Sequence, residues 1–145
     1  MAFTGNYACD VFKTGLLDAT FNFDTGTSDV YKIALYTNTA SLNASTTAYT
    51  VTGETSGTGY VAGGQVLTIG VVPTNTNNIS FFSFDDITWA SSSITARGAL
   101  IYKYNGTTNP AVCVLDFGSD KTTTNGNFTV QFPAATYTSA VIRIS

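Results

Sequence analysis

Between residues 94 and 104 the chain alternates. Ile94, Ala96, Gly98, Leu100, Tyr102 and Tyr104 fall on one face of an extended strand, and Thr95, Arg97 and Lys103 on the other. This period of two predicts a strand with one buried side. Asn105, Gly106, Thr107, Thr108, Asn109 and Pro110 then supply turn chemistry, and residues 111–117 are apolar on both faces until Asp116, as in a strand covered on both sides. Together they predict a long hairpin at the middle of a sheet. Pairing Tyr104 with Ala111 sets Ala99 opposite Asp116, leaves Arg97 diagonal to Asp116 for an ion pair, and puts Gly98 opposite Phe117, whose ring would cover the missing side chain.

The same pattern recurs along the chain. Tyr31, Ile33 and Leu35 alternate with Lys32, Ala34 and Tyr36; Leu67, Ile69 and Val71 form a strand stopped by Pro73; Phe128, Val130 and Phe132 form one closed by Pro133; Ala140, Ile142 and Ile144 form the last. Residues 79–84 and 87–89 bracket Asp85 and Asp86, as two strands or as one strand broken by a bulge. Asp10 is expected to cap a short helical turn carrying Val11, Phe12, Leu16 and Leu17, with Gly15 limiting its length. Residues 1–10 show no period and read as an N-terminal arm that orders against something else. Residues 38–64, rich in Thr, Ser and Gly, read as a long loop with a short strand at 48–51, and a loop of this length in a small domain is usually functional or interfacial. Eight or nine strands with turns about every ten residues predict an all-β chain: a single-domain β-sandwich over residues 1–145, jelly-roll-like, with one short N-terminal helical turn.

Composition sharpens this picture. Hydrophobic residues at 43% exclude a disordered chain, while 10% charged residues suits a surface that partners cover. The low charge and aromatic-rich strands predict a symmetric homo-oligomer, read as a trimer. The six basic residues, Lys13, Lys32, Arg97, Lys103, Lys121 and Arg143, are scattered under a net charge of −3, so no nucleic-acid partner is expected. No apolar run reaches membrane-spanning length, and no charged segment followed by an apolar run marks a secretory signal, so neither a membrane nor secretion is expected. Cys9 and Cys113 are read as free, partly buried thiols.

Candidate chemistry is sparse. The loop Phe23-Asp24-Thr25-Gly26-Thr27-Ser28 matches the active-site loop of aspartic proteases, in which a symmetric homodimer would pair two copies of Asp24; the competing explanation is a glycine-containing surface turn. Asp116 and Asp120 stand four apart and could ligate calcium with Asp85 or Asp86, but the dense Asp/Asn ladder of a calcium loop is missing. The chain has no histidine, which removes His-dependent nucleophile systems and the commonest zinc ligand. Gly57-Thr58-Gly59-Tyr60 with Gly63 and Gly64 lacks the Lys-Ser/Thr of a phosphate loop and reads as a flexible loop. Phe81, Phe82, Phe84, Trp89, Tyr102, Tyr104 and Phe117 could line a sugar groove, but their strand positions favour core packing. No enzyme, cofactor or metal is expected.

The strings KIALY at 32–36, GTGY at 57–60 with GGQ at 63–65, DITW at 86–89, ITARGALIY at 94–102, VLDFGSDK at 114–121 and GNFTVQFP at 126–133 resemble a group of small virion proteins of tailed bacteriophages. The resemblance implies a capsid cement (decoration) protein, often trimeric, that binds the major capsid protein on the outer surface of the virion and is assembled in the bacterial host cytoplasm. A tail or head-fibre component that binds a receptor or glycan is the alternative. Partner contacts are expected from the arm (Met1, Ala2, Phe3, Thr4) and from the long loop (Gly57, Tyr60). Trp89, Arg97, Gly98, Asp116 and Phe117 are expected to be structural.

Overall fold

The computed structural model describes residues 3–145. Along the chain it contains β1 (Tyr7–Ala8), α1 (Asp10–Leu17), β2 (Val30–Tyr36), β3 (Gln65–Val66), β4 (Ile69–Thr76), β5 (Ile79–Phe84), β6 (Ile87–Ser92), β7 (Thr95–Tyr104), β8 (Ala111–Thr122), β9 (Gly126–Val130) and β10 (Ile142–Ile144). The protein is all-β with one short helix. Its strands are distributed over three antiparallel sheets, ordered β1-β8-β7-β2-β3, β10-β5-β4 and β6-β9, where a jelly roll has two. The chain changes sheet at Asp85 and Asp86. The Asp85 amide donates to the Thr68 carbonyl and Asp86 Oδ1 accepts from the Phe132 amide, so the polar pair ends one strand and anchors the next.

The β7–β8 hairpin is the centre of the large sheet, but its register differs from the alternation argument. Tyr102, not Tyr104, pairs with Ala111; a shift before Ile101↔Cys113 then brings Gly98 opposite Asp116 and Ala99 opposite Leu115. Beyond Gly98↔Asp116 the next pair is Ala96↔Lys121, so Arg97 alone faces residues 117–120, a wide bulge opened by Gly118 at φ 79°. Bulges slip the register without changing the hydrophobic pattern, which is why alternation by itself misplaces the pairing.

Both faces of this sheet are covered. The register sets Tyr31, Ile33 and Leu35 on one face with Lys103, Ile101 and Ala99. Over that face lie Phe23 and the three-stranded sheet: Phe23 stacks on Tyr31 at 4.4 Å and on Phe82 at 4.0 Å, and Phe84 stands 6.1 Å from Tyr31. The opposite face, with Ala34, Tyr36, Leu100 and Tyr102, is covered by the long loop. Ala40 and Leu42 are buried in it, Tyr49 stacks on Tyr102 at 4.8 Å, and the Tyr36 hydroxyl donates to the Thr50 carbonyl at 2.7 Å. Residues 38–64 are therefore a packing layer of the core rather than a free flap; the strand expected at 48–51 is one bridge, Ala48↔Pro110.

The arm also has a place in the core. Phe3 and Cys9 are buried, and Tyr7 and Ala8 pair with Val114 and Cys113 of β8. Met1 and Ala2 lie outside the described residues. In α1 the N-cap is Cys9, not Asp10, and Asp10 sits in the first turn, where its carboxylate meets Lys13 at 2.8 Å and complements the helix dipole. Gly15 lies inside the helix because the Phe21 ring packs where a side chain would stand. Leu17, expected on the buried side, is 91% exposed.

Pro73 does not stop its strand. β4 is an edge strand, and Pro73 falls in the irregular stretch between Val71↔Ser83 and Thr74↔Phe81, where a missing amide costs no ladder bond. Asn77 and Asn78, both at positive φ, make the two-residue turn into β5. Ala140 and Phe132 fall outside β10 and β9.

Candidate functional site

The densest polar constellation surrounds Glu54, the chain's only glutamate. Its Oε1 accepts from the Tyr60 hydroxyl at 2.6 Å and the Gly63 amide at 2.7 Å, and its Oε2 accepts from the Tyr49 hydroxyl at 2.7 Å. Tyr60 in turn accepts from the Leu35 amide, capping the edge of β2 beyond β3, and Tyr102 donates to the Gly63 carbonyl at 2.8 Å. Burial raises the phenol pKa values of Tyr36, Tyr49 and Tyr60, with the Glu54 charge adding to it; Tyr102, for the same two reasons, is pushed up to about 12. Both Glu54 oxygens are engaged by groups of the loop itself, so the knot locks the loop. Alternation could not reveal it; the only signal in the sequence is a lone Glu between two tyrosines in a Thr/Ser/Gly tract.

The glycines of this loop make room for backbone. A side chain at Gly64 would collide with the Ile33 carbonyl, one at Gly57 with the Ser93 carbonyl, and Gly59 approaches Ser92; Gly59 and Gly64 also hold positive φ. The loop is thus docked against β2 and β6 rather than flexible.

The remaining expected site residues are spread over the molecule. Thr4 Oγ1 pairs with the Tyr7 hydroxyl at 2.6 Å, and Phe3 lies buried against Gly98, so Phe3, not Phe117, covers that glycine. Phe117 instead approaches Phe128 at 6.2 Å. Trp89 is buried between Tyr60 and Phe128. Arg97 Nε meets Asp116 Oδ1 at 3.2 Å, an ion pair made where the β8 bulge begins, with Gly98 rather than Ala99 opposite Asp116. Asp24 is exposed in a turn whose Thr25 amide bonds the Asp24 carboxylate, with Gly26 at φ 80°. Asp116 accepts also from the Gly118 amide, and Asp120 bonds Asn38; among the described residues no three acidic, Cys or His side chains gather as a metal site. Cys9 and Cys113 are buried free thiols, and burial pushes Cys9 up to about 11 and Cys113 higher still.

The open surface lies at the strand edges. A recess of about 400 Å³ runs along β9, lined by Phe117, Lys121, Thr123 and the successive residues 127–131. A strand face would contribute every second residue, so lining by consecutive residues means that the recess follows the backbone edge of β9. Among the described residues β9 pairs only with β6, so this edge has no ladder partner. The trough continues between residues 115–117 of β8 and residues 130–133, where one β8 amide, that of Asp116, is already taken by Asn6 Oδ1 at 2.7 Å. A second open edge belongs to β4, whose strand and following turn are exposed from Val72 to Asn78.

The chain matches no protein-family model, no curated protein and no solved structure.

Proposed function

We propose that this chain is a non-enzymatic structural protein of a virion, a cement or decoration protein that binds the major capsid protein on the outer capsid surface and stabilises the shell, as a homotrimer. The observation that carries this reading is the contrast between interior and edge. Tyrosine hydroxyls, the lone glutamate and the loop backbone are consumed inside a stiff scaffold, while β4 and β9 keep open edges whose amides and carbonyls suit strand addition. The phage-protein resemblance supplies the setting. Contact with the capsid is not assigned to Phe3, which is buried, or to Tyr60, which packs on Trp89.

Counting copies on particles by electron microscopy tests the assignment. Hundreds of copies over the head, with earlier rupture of capsids that lack the protein on heating, support it; a handful at the tail overturn it. A second reading, a fibre component that binds glycans, is favoured by the recess beside β9, where Phe117 offers an aromatic ring and Asn127, Thr129, Gln131 and Lys121 offer hydrogen-bonding groups. Glycan-dependent binding to cells at unchanged capsid strength would select it.

A further inference from the structure

The two open edges differ in a way that suits them to each other. From Ile69 to Phe84 the chain carries no charged residue, yet β4 exposes eight residues of unpaired edge and its distal half is exposed on both faces. Edge strands of this length are ordinarily blunted by lysines or inward charges, because they template pairing with other chains. Here Pro73 and two register shifts, between Ile69 and Val71 and between Val71 and Thr74, interrupt the edge and leave it regular from Thr74 to Thr76. A two-stranded ribbon that projects past its core is marginal alone and gains stability by packing against further structure.

The trough beside β9 is the matching half. It presents consecutive backbone of residues 127–133 on one wall and of residues 115–117 on the other; the Asp116 and Phe132 amides are taken by Asn6 and Asp86, so an extended segment lying in it finds its open ladder on the β9 edge. Its floor is apolar, with Phe117, Val130 and Phe132. Of its two charged residues, Asp116 is neutralised by Arg97, which leaves Lys121 at one end. An uncharged strand therefore enters without opposing a like charge.

We infer that the β4 edge of one copy docks in the β8–β9 trough of the next, a head-to-tail contact of this chain with itself. Because the two patches are different surfaces, the contact is heterologous and closes into a ring when the rotation allows it, as the proposed trimer requires. The inference deepens that oligomeric reading and names its surfaces: residues 69–76 on one side, residues 115–117 and 127–133 on the other.

Disulfide trapping tests it, since the native thiols are buried and do not compete. The chain is prepared as Thr74→Cys and, separately, as Asn127→Cys, both exposed positions. Mild oxidation of the mixture is expected to give a disulfide-linked pair containing one of each, while neither variant alone gives a linked pair. In sedimentation, Val72→Lys is expected to shift the wild-type oligomer to monomer with its thermal unfolding unchanged. A wild-type chain that sediments as a monomer throughout the micromolar range overturns the inference. So does a linked pair formed by Thr74→Cys alone, which would mean β4 against β4, and so does trapping that needs capsids or another virion component. Decoration of capsids, scored in parallel, separates this from the cement reading: monomers that still decorate remove only the ring contact, and rings that never decorate remove only the cement assignment.

Discussion

The ring of Phe3 lies over Gly98, in the space where any side chain at position 98 would stand, with the Leu115 carbonyl closing the other side. Gly98→Val therefore has no room to repack, and overpacking of this kind costs about 1–3 kcal/mol. Chemical unfolding measures it. Combining Gly98→Val with Phe3→Ala is expected to cost less than the sum of the two single changes, because the smaller residue vacates the space. Strict additivity would mean that the two side chains do not share it.

Deleting residues 1–4 removes the same ring. A free arm would be dispensable, but Phe3 is 2% exposed, and truncating a buried phenylalanine typically costs about 3–5 kcal/mol. The midpoint of urea unfolding is expected to fall accordingly. An unchanged midpoint would return the N-terminus to the role of a detachable arm.

These two residues also show what the sequence could and could not reveal. Alternation locates β2, β7 and β9 because each buries a face at period two, and an unbroken apolar run locates β8; the Arg97–Asp116 ion pair is present, but beside the β8 bulge, with Gly98 rather than Ala99 opposite Asp116. Phe3 lay outside any periodic segment; its burial depends on an absent side chain about a hundred positions away, which no local window can see. The order of the loop at 38–64 escapes alternation for a related reason. Its Thr, Ser and Gly content is that of a solvent-exposed linker, while its order comes from long-range contacts: Tyr49 on Tyr102, Gly64 against Ile33, Thr55 to the Thr95 carbonyl. The open edges of β4 and β9 were invisible because sequence marks strands but not which strands remain unpaired.

Glu54→Gln tests the knot that fixes this loop. Glutamine keeps the shape but replaces one acceptor oxygen by an amide nitrogen, so a donor among Tyr49, Tyr60 and Gly63 faces another donor. Leaving such a group unpaired costs about 1–3 kcal/mol. Besides lower stability, faster hydrogen exchange is expected at the Gly63 and Leu35 amides. Exchange that is unchanged at both would mean that the loop is held by packing alone.

Asp24→Asn separates the surface turn from the protease loop. Asp24 is exposed and its carboxylate serves only the neighbouring Thr25 amide, so the change is expected to stay within about 0.5 kcal/mol of wild type. Cleavage of an unfolded substrate by the wild type, blocked by pepstatin and lost in Asp24→Asn, would establish the dimeric protease instead.

High pH is expected to unfold the protein as a unit. Tyr31, Tyr36, Tyr49, Tyr60 and Tyr102 are phenols whose burial raises their pKa values above the ordinary 10, and burial raises Cys9 from 9 to about 11. Each group is held neutral in the fold and ionises more readily in the unfolded chain. Above the ordinary values the unfolded chain therefore binds fewer protons than the folded one, and stability falls as pH rises. This contribution is fully present below about pH 9, begins to fade first at Cys9, and is lost at Tyr102 as pH passes through about 12. Tyrosinate absorbance followed beside near-ultraviolet circular dichroism checks the sign and the coupling. The buried phenols are expected to ionise together with the loss of tertiary signal. All eight tyrosines titrating smoothly near pH 10 with the tertiary signal intact would contradict the burial that the Glu54 knot and the aromatic stack around Tyr31 impose.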